Sequence, residues 1–195
     1  MKKITTILLL SLSLHSFSQT TETKIENTNA SVEKSIFGIQ TGLIGLWVYN
    51  ELKLSDKFAL RSELGLQFAT VTKEDSNDSY TFLTPEITLE PRFYYNLNKR
   101  SRNRKNISKN SGNYFSLRSS YYPDSFTIGN DGGYNFVPEL NIVPTWGMKR
   151  NLGSHFDYEL GGGIGYRTEF EKADAKNSNN SDVTMYIHAR IGYKF

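Results

Sequence analysis

Few residues in this chain have side chains suited to catalysis or metal binding. There are no cysteines and only three histidines, of which His155 and His188 lie in the body of the chain. General-base catalysis by a histidine needs a nucleophile within hydrogen-bonding reach, and neither histidine forms a recognisable motif with a serine. The glycine-rich residues 161–165 have no helical pattern after them, which argues against a dinucleotide-binding turn. The sequence therefore predicts no catalytic residue, no metal site and no cofactor, and we expect that the protein is not an enzyme.

The ionisable residues follow a different pattern. In six segments, residues 58–68, 81–97, 113–122, 136–149, 155–167 and 183–195, apolar residues alternate with polar ones, and the charged residues keep to the polar parity. In the first segment, for example, Leu60 and Leu64 alternate with Arg61 and Glu63. A period of two predicts β-strands and excludes helices, whose faces repeat every three to four residues. One face of these strands carries Arg61, Glu63, Glu86, Glu90, Arg92, Arg118, Glu139, Lys149, Asp157, Glu159, Arg167, His188, Arg190 and Lys194.

The last segment, residues 183–195, alternates most clearly and ends on an aromatic residue. Its apolar parity comprises Val183, Met185, Ile187, Ala189, Ile191, Tyr193 and Phe195. This segment resembles the final strand of bacterial outer-membrane β-barrels, whose terminal aromatic residues are read by the outer-membrane assembly machinery. By this resemblance Tyr193 and Phe195 are the assembly signal, and the chain is similar to small, uncharacterised porin-like proteins of Gram-negative bacteria. An aromatic content of 13% suits the girdles that such barrels place at both membrane interfaces.

The N-terminal residues have the three parts of a secretory signal peptide. Lys2 and Lys3 precede an apolar stretch at residues 7–14, and the small residues Ser16 and Ser18 follow. The apolar stretch is much shorter than the roughly 20 residues that span a bilayer as a helix. We therefore expect a signal peptide at residues 1–18, cleaved near Ser18 and Gln19, a polar periplasmic segment at residues 19–34, and an outer-membrane barrel domain at residues 35–195.

The number of strands depends on residues 35–54, where the apolar parity changes from Phe37 and Ile39 to Leu46 and Val48. A change of face indicates a turn or a bulge. If residues 42–45 form a tight turn, the chain has eight strands. If they form a bulge, it has seven, and residues 24–33 must supply another, because such barrels have an even number. We expect eight, since closure leaves no unpaired edge in lipid.

The predicted fold is therefore an all-β, transmembrane, antiparallel up-and-down β-barrel. A soluble β-sandwich also alternates polar and apolar residues, but its strands average about 5 or 6 residues, whereas the segments here run to about 10 to 15. Proline cannot donate a ladder hydrogen bond, so we expect bulges or broken pairing at Pro85, Pro91, Pro138 and Pro144.

Both termini of the barrels that the chain resembles are periplasmic. Residues 73–79, 123–135 and 169–182 would then face the outside, and residues 98–112 would form a periplasmic turn. This turn has no carboxylate but carries Lys99, Arg100, Arg102, Arg104, Lys105 and Lys109. No aromatic residue is interleaved for base stacking, so nucleic acid is not expected as a partner. The turn is either simply solvated or contacts anionic lipid headgroups or cell-wall polymer.

An eight-stranded barrel has an interior just wide enough for its own side chains. The mixed inward charges are therefore expected to pair with one another, His188 with a carboxylate such as Glu159, and to fill the lumen. This favours a structural protein, or an interaction platform that uses its outer loops and its basic periplasmic turn. Two alternatives remain open: a porin for small solutes, and a lipid-modifying outer-membrane enzyme, which in the resembling proteins uses a histidine and a serine near the outer lipid interface.

Overall fold

The computed structural model describes residues 30–72, 79–124, 126–129, 137–170 and 180–195. The predicted signal peptide, and most of the predicted outer loops, lie outside these residues. The described chain forms eight strands: β1 Ser35–Gly42, β2 Gly45–Lys53, β3 Phe58–Thr72, β4 Ser79–Tyr94, β5 Asn113–Tyr122, β6 Glu139–Leu152, β7 Phe156–Glu169 and β8 Asn180–Lys194. Between β4 and β5 lie helix α1, Leu97–Arg102, and a 3₁₀ turn, Ser108–Asn110.

Each strand pairs antiparallel with its neighbours in the chain, and β1 also pairs with β8, so the sheet is a closed up-and-down barrel. The register of the closing pair runs from Gly38 opposite Lys194 to Gly42 opposite Arg190. A two-residue hairpin loop, Leu43 and Ile44, joins β1 to β2. The predicted turn at residues 42–45, and with it the count of eight strands, is confirmed.

The barrel has two distinct ends. The end that holds the start of β1 and the finish of β8 is called the terminal end here, and the opposite end is called the loop end. The connections at residues 54–57, 95–112 and 153–155 lie at the terminal end, as follows from the strand order.

Strand pairing is interrupted beside two prolines. The β4–β5 ladder skips Glu90 and Pro91, and the β6–β7 ladder skips Val143 and Pro144. On its other side each proline still faces a partner, Leu60 for Pro91 and Leu117 for Pro144. Because a proline lacks an N–H group, it loses one ladder and keeps the other. Pro85 likewise has a partner in β3 only, and Pro138 precedes β6.

The segment after β4 differs from the prediction. The strand predicted for residues 81–97 ends at Tyr94, and residues 98–112 are not a simple turn, since they contain most of α1 and the 3₁₀ turn. The reason is apolar burial, because Leu97 is buried beneath the barrel mouth with Ala59, Tyr94 and Tyr114. Ala30 and Val32, from the segment predicted to be polar and periplasmic, join the same cluster.

The helices in the described part of the chain are all too short or too polar to span a bilayer.

The barrel wall is polar inside and apolar outside. Arg61 and Glu159 on the inner face are 0% exposed, whereas Leu64 is 59% exposed and Met185 69% exposed on the outer face. The outer face is formed by large apolar residues of all eight strands, among them Phe37, Val48, Leu64, Leu89, Leu117, Ile142, Ile164 and Ile187. A water-soluble domain has the opposite arrangement, since burial of apolar surface drives its folding.

Candidate functional site: a charged lumen and a basic rim

The lumen gathers most of the ionisable residues that the alternation placed on one face. Among the described residues, six carboxylates, six cations and one histidine are buried there: Glu51, Glu63, Glu86, Glu90, Asp157, Glu159, Arg61, Arg92, Arg118, Lys149, Arg190, Lys194 and His188. The carboxylates and cations balance, so the lumen is neutral when His188 is neutral. An isolated buried charge is very costly, and only such a balanced set of pairs is tolerated.

Glu159 of β7 is the centre of the network. It accepts hydrogen bonds from Arg92 Nη2 at 2.7 Å and from the Tyr114 hydroxyl at 2.7 Å. Arg61 Nη1 lies 3.5 Å from the same carboxylate, and His188 Nε2 lies 3.4 Å from it. Residues from four strands therefore converge on one carboxylate, in a layer at the middle of the lumen.

A second layer lies toward the loop end. Arg190 donates to both oxygens of Glu63, at 2.9 and 3.0 Å. Arg118 lies 3.0 Å from Glu63 and 2.8 Å from Glu86. The indole N–H of Trp47 also donates to Glu86, at 2.6 Å.

A third layer lies toward the terminal end. Glu51 accepts from the Tyr94 hydroxyl at 2.8 Å, from Lys149 Nζ at 3.2 Å and from the side-chain amide of Asn110. Asp157 lies 3.9 Å from Lys149 and 3.7 Å from Lys194. Asn110 belongs to the 3₁₀ turn, so the connection between β4 and β5 also contributes to this layer.

Aromatic rings separate the guanidinium groups from the barrel wall. Arg190 lies over Trp47 at 3.8 Å, Arg61 over Tyr49 at 3.7 Å and Arg92 over Tyr114 at 4.2 Å, measured to the ring centroids. Each of these rings faces a glycine on the paired strand: Gly65 for Trp47, Gly38 for Tyr49 and Gly147 for Tyr114. The missing side chains leave room for the rings to lie flat against the wall, and each ring then stabilises a cation by its π face. Gly161 faces His188 in the same way.

Two residues of the predicted lumen set do not reach the interior. Glu139 and Arg167 lie at the loop end with 19% and 39% of their side chains exposed, and their charged groups are 3.9 Å apart. Arg167 also lies 3.4 Å from both Glu169 and Asp182. They form an exposed ion-pair cluster on the rim, because β6 and β7 extend past the filled part of the lumen.

The sequence analysis missed four residues of β1 and β2 that contact the charged network of the lumen: Gln40, Trp47, Tyr49 and Glu51. All are buried, and Gln40 accepts a hydrogen bond from Arg61. The signal was present in β2, where the outward parity of Leu46, Val48 and Leu52 places the residues between them inside. The sequence analysis used the change of face at residues 42–45 only to count strands and did not assign the inward face of β2.

The loop-end half of the lumen keeps some space. One cavity of about 190 Å³ is lined by Arg118, Tyr122, Asn141 and Tyr186 among others, and one of about 120 Å³ is lined by Trp47, His188 and Arg190 among others. Each has room for several water molecules.

The predicted basic turn forms a rim at the terminal end, here called the basic rim. Its six cations are Lys99, Arg100, Arg102, Arg104, Lys105 and Lys109. Lys99, Arg102, Arg104 and Lys105 are exposed, whereas Arg100 and Lys109 are half-buried. Arg104 and Lys109 have φ values of 54° and 51°, so the connection is held in a defined and strained path. Partial burial lowers the pKa of Arg100 from its ordinary value.

The outer wall at the terminal end carries aromatic residues. Phe58 and Phe93 stack at 4.8 Å, and Tyr95 and Phe115 lie 5.2 Å apart. The predicted assembly signal belongs to this group, since Tyr193 contacts Phe156 and Phe195 at 5.4 and 5.3 Å. Both Tyr193 and Phe195 are exposed, at 39% and 68%.

The two described histidines differ in setting. His188 is buried beside Glu159, whereas His155 lies in an exposed hairpin with its Nδ1 2.7 Å from the Ser154 hydroxyl.

Comparison of the chain with protein-family models, with curated proteins and with solved structures finds no match. The class that the geometry itself defines is a closed eight-stranded up-and-down barrel with ionisable residues buried in its interior.

Proposed function

We propose that the protein is an exported outer-membrane β-barrel whose lumen is plugged, and that it acts as a structural element or interaction platform. The observation that carries this proposal is the reversed polarity of the wall. A continuous apolar exterior would have to be covered, and lipid covers it without a protein partner. The charged interior would then be shielded from lipid by the wall itself.

The strand lengths support a membrane setting. A tilted strand needs roughly 9 to 11 residues to cross the hydrocarbon layer, and β3, β4, β6, β7 and β8 have 14 to 16 residues. The aromatic group at the terminal end fits an interfacial girdle. With the termini in the periplasm, Tyr193 and Phe195 would be available to the assembly machinery, and the basic rim would face anionic lipid headgroups or cell-wall polymer.

The packed lumen favours a platform over a porin. Three layers of paired charges and aromatic rings occupy the width of the barrel, centred on Glu159, Glu63 and Glu51. An aqueous pore needs an open path with charges on its wall, as wider barrels provide. Contact with partners is then left to the outer loops and the basic rim.

Two measurements test the proposal together. The chain without residues 1–18, refolded in detergent, should migrate differently on a gel before and after boiling, because a closed barrel resists denaturation. In planar bilayers the inserted protein should give no single-channel conductance. Recovery of the protein in the soluble fraction of cells would refute the membrane assignment. Steady conductance would instead support the porin, and altered lipid A that depends on intact His188 would support the enzyme.

A further inference from the structure

Two arginines at the terminal end, Arg150 of the outer wall and Arg100 of α1, have no carboxylate partner among the described residues. Arg150 belongs to β6 and is on the same parity as Trp146 and Met148, two positions beyond the latter. Its Nη1 donates to the carbonyl oxygens of Gly112 and Lys149 at 2.8 and 2.7 Å, and its Nη2 donates to Asn113 Oδ1 at 2.5 Å. The guanidinium is therefore held in one orientation, and its Nε–H and one N–H of Nη2 remain for another ligand.

Arg100 of α1 supplies the second cation. It donates to the carbonyl oxygen of Asn106 from Nε at 3.3 Å and from Nη2 at 2.8 Å. The backbone N–H of Arg100 donates to the carbonyl oxygen of Asn96 at 2.9 Å, and the side-chain oxygen of Asn96 accepts from the backbone N–H of Asn113 at 2.8 Å. Asn113 also accepts from Arg150, so Asn96 and Asn113 connect the two arginines, and the electrostatic influence of Arg100 on Arg150 agrees with this proximity. Within the described part of the chain neither arginine has an ion-pair partner, in contrast to every arginine of the lumen. Two like charges held together without an anion repel each other, and a shared anion relieves that repulsion.

The position of the pair identifies the source of such an anion. The indole N–H of Trp146 donates to the Tyr95 hydroxyl at 3.0 Å, and these two residues belong to the aromatic group on the outer wall. Asn113 connects this group to the arginine, since its amide donates to Tyr95 at 3.3 Å and its oxygen accepts from Arg150. Tryptophan and tyrosine side chains lie at the level of the lipid headgroups in membranes. The Arg150 guanidinium is separated from Tyr95 only by the side chain of Asn113, so it would lie at the depth of the lipid phosphates.

We propose that Arg100 and Arg150 form a binding site for the phosphate of an anionic phospholipid in the leaflet that surrounds the terminal end. The inference rests on the proposed membrane location and names the partner of one part of the basic rim. The planar guanidinium fork matches two phosphate oxygens, and a partly desolvated setting strengthens such bonds. A cell-wall polymer would reach the exposed end face of the barrel, whereas Arg150 lies on the wall beside the aromatic girdle.

The test measures lipid retention by the folded barrel. Protein is inserted into phosphatidylcholine vesicles with or without phosphatidylglycerol and extracted in mild detergent, and the retained lipid is counted by native mass spectrometry. We expect Arg100→Gln/Arg150→Gln to lower phosphatidylglycerol retention about tenfold, through loss of two charge-assisted contacts. The matched control is Lys34→Gln/Lys57→Gln, which removes the same charge from two exposed residues of the terminal end, and it should retain lipid as the unchanged protein does.

Two further variants separate binding from folding. Arg100→Gln alone leaves all three bonds of Arg150 intact and should still weaken retention. Arg150→Lys keeps the charge but loses the fork, and it should not restore full retention. Each variant must first show the gel shift of the closed barrel, and insertion into pure phosphatidylcholine reports on the membrane assignment separately from the site.

The results with these variants and with competing ligands decide whether Arg100 and Arg150 form a phospholipid site. Equal loss in the arginine and lysine variants would mean diffuse attraction by a basic barrel end. No loss in either would remove the site altogether. Binding of soluble peptidoglycan fragments that depends on Arg100 and Arg150, without any effect on lipid, would assign the pair to cell-wall polymer. Competition by inorganic phosphate would support phosphate as the recognised group, whereas phosphate binding without lipid retention would exclude the lipid.

Discussion

At the scale of single residues, the lumen depends on carboxylates that each serve several partners. Glu159 accepts hydrogen bonds from Arg92 and Tyr114 at 2.7 Å, and Arg61 and His188 lie within 3.5 Å of its carboxylate. A buried ion pair gains little over a well-packed apolar pair, but loss of one partner leaves an uncompensated charge in a low dielectric. The network is therefore a strong constraint on which residues can be replaced, whatever its net contribution to the free energy of unfolding.

The substitution Glu159→Gln tests this constraint. It keeps the shape of the side chain but leaves Arg61 and Arg92 short of one negative charge, so we expect the free energy of unfolding to fall by about 3 to 5 kcal/mol. Urea unfolding of the folded barrel in lipid vesicles, followed by fluorescence, measures the change. The matched control is Glu169→Gln, whose partner Arg167 is 39% exposed, and its effect should stay below about 1 kcal/mol. Similar losses in the two variants would contradict the central role of Glu159.

At the scale of strands, the lumen side chains are positioned by contacts between paired strands. Trp47 of β2 faces Gly65 of β3, and a methyl group added at Gly65 would overlap the indole ring. The ring lies between the wall and the Arg190 guanidinium and donates to Glu86. The glycine therefore determines how close the ring lies to the wall, and with it the position of a cation and of a carboxylate.

We predict that Gly65→Ala displaces Trp47 and lowers the free energy of unfolding by about 1 to 3 kcal/mol, the usual range for overpacking. The emission spectrum of Trp47, recorded against a Trp146→Phe background, reports the displacement directly. The matched comparison repeats Gly65→Ala in a Trp47→Leu chain, where the smaller side chain leaves space for the methyl group. An equal penalty with and without the indole ring would show that the overlap is not the cause.

The strands were predictable from the sequence, and the connection at residues 95–112 was not. In long alternating segments the period of two can be recognised even when the ends of a strand are misplaced by a few residues. All eight strands and the turn at residues 42–45 were therefore predicted, although some strand ends differ. Helix α1 has only 6 residues, too few to show a helical period. In the sequence Leu97 continues the apolar alternation of β4. Only its burial with Tyr94 and Tyr114 in the structure shows that the strand has already ended.

The site was predictable to the extent that parity decides which face a residue occupies. Parity placed Arg61, Glu63 and Glu159 on the inner face, but it contains no information on how far along the barrel a residue lies. Glu139 and Arg167 were therefore grouped with the interior although they lie on the rim. The partners of each charge depend on the stagger of the strands, which the sequence pattern does not specify.

At the scale of the whole molecule, the barrel is neutral inside because every layer of cations is accompanied by carboxylates, and Arg61 also pairs with Glu63 of the neighbouring layer. The loop-end layer pairs Arg118 with Glu86, the central layer pairs Arg92 with Glu159, and the terminal layer pairs Lys149 with Glu51. Ions that cross the barrel would have to pass all three layers in turn. Each layer alone should therefore be sufficient to block the lumen.

A series of charge-balanced variants tests this independence. Arg92→Ser/Glu159→Ser opens only the central layer, so it should remain silent in planar bilayers, like the unchanged protein. A chain that also carries Arg118→Ser/Glu86→Ser and Lys149→Ser/Glu51→Ser should conduct, because water then replaces a pair in every layer while the net charge is constant. The rim pair supplies the control, since Arg167→Ser/Glu139→Ser removes equal charge outside the plug and should not conduct. Conductance from the central variant alone would mean that the outer two layers do not close the barrel, and the lumen would then be a gated passage with a single barrier at Glu159.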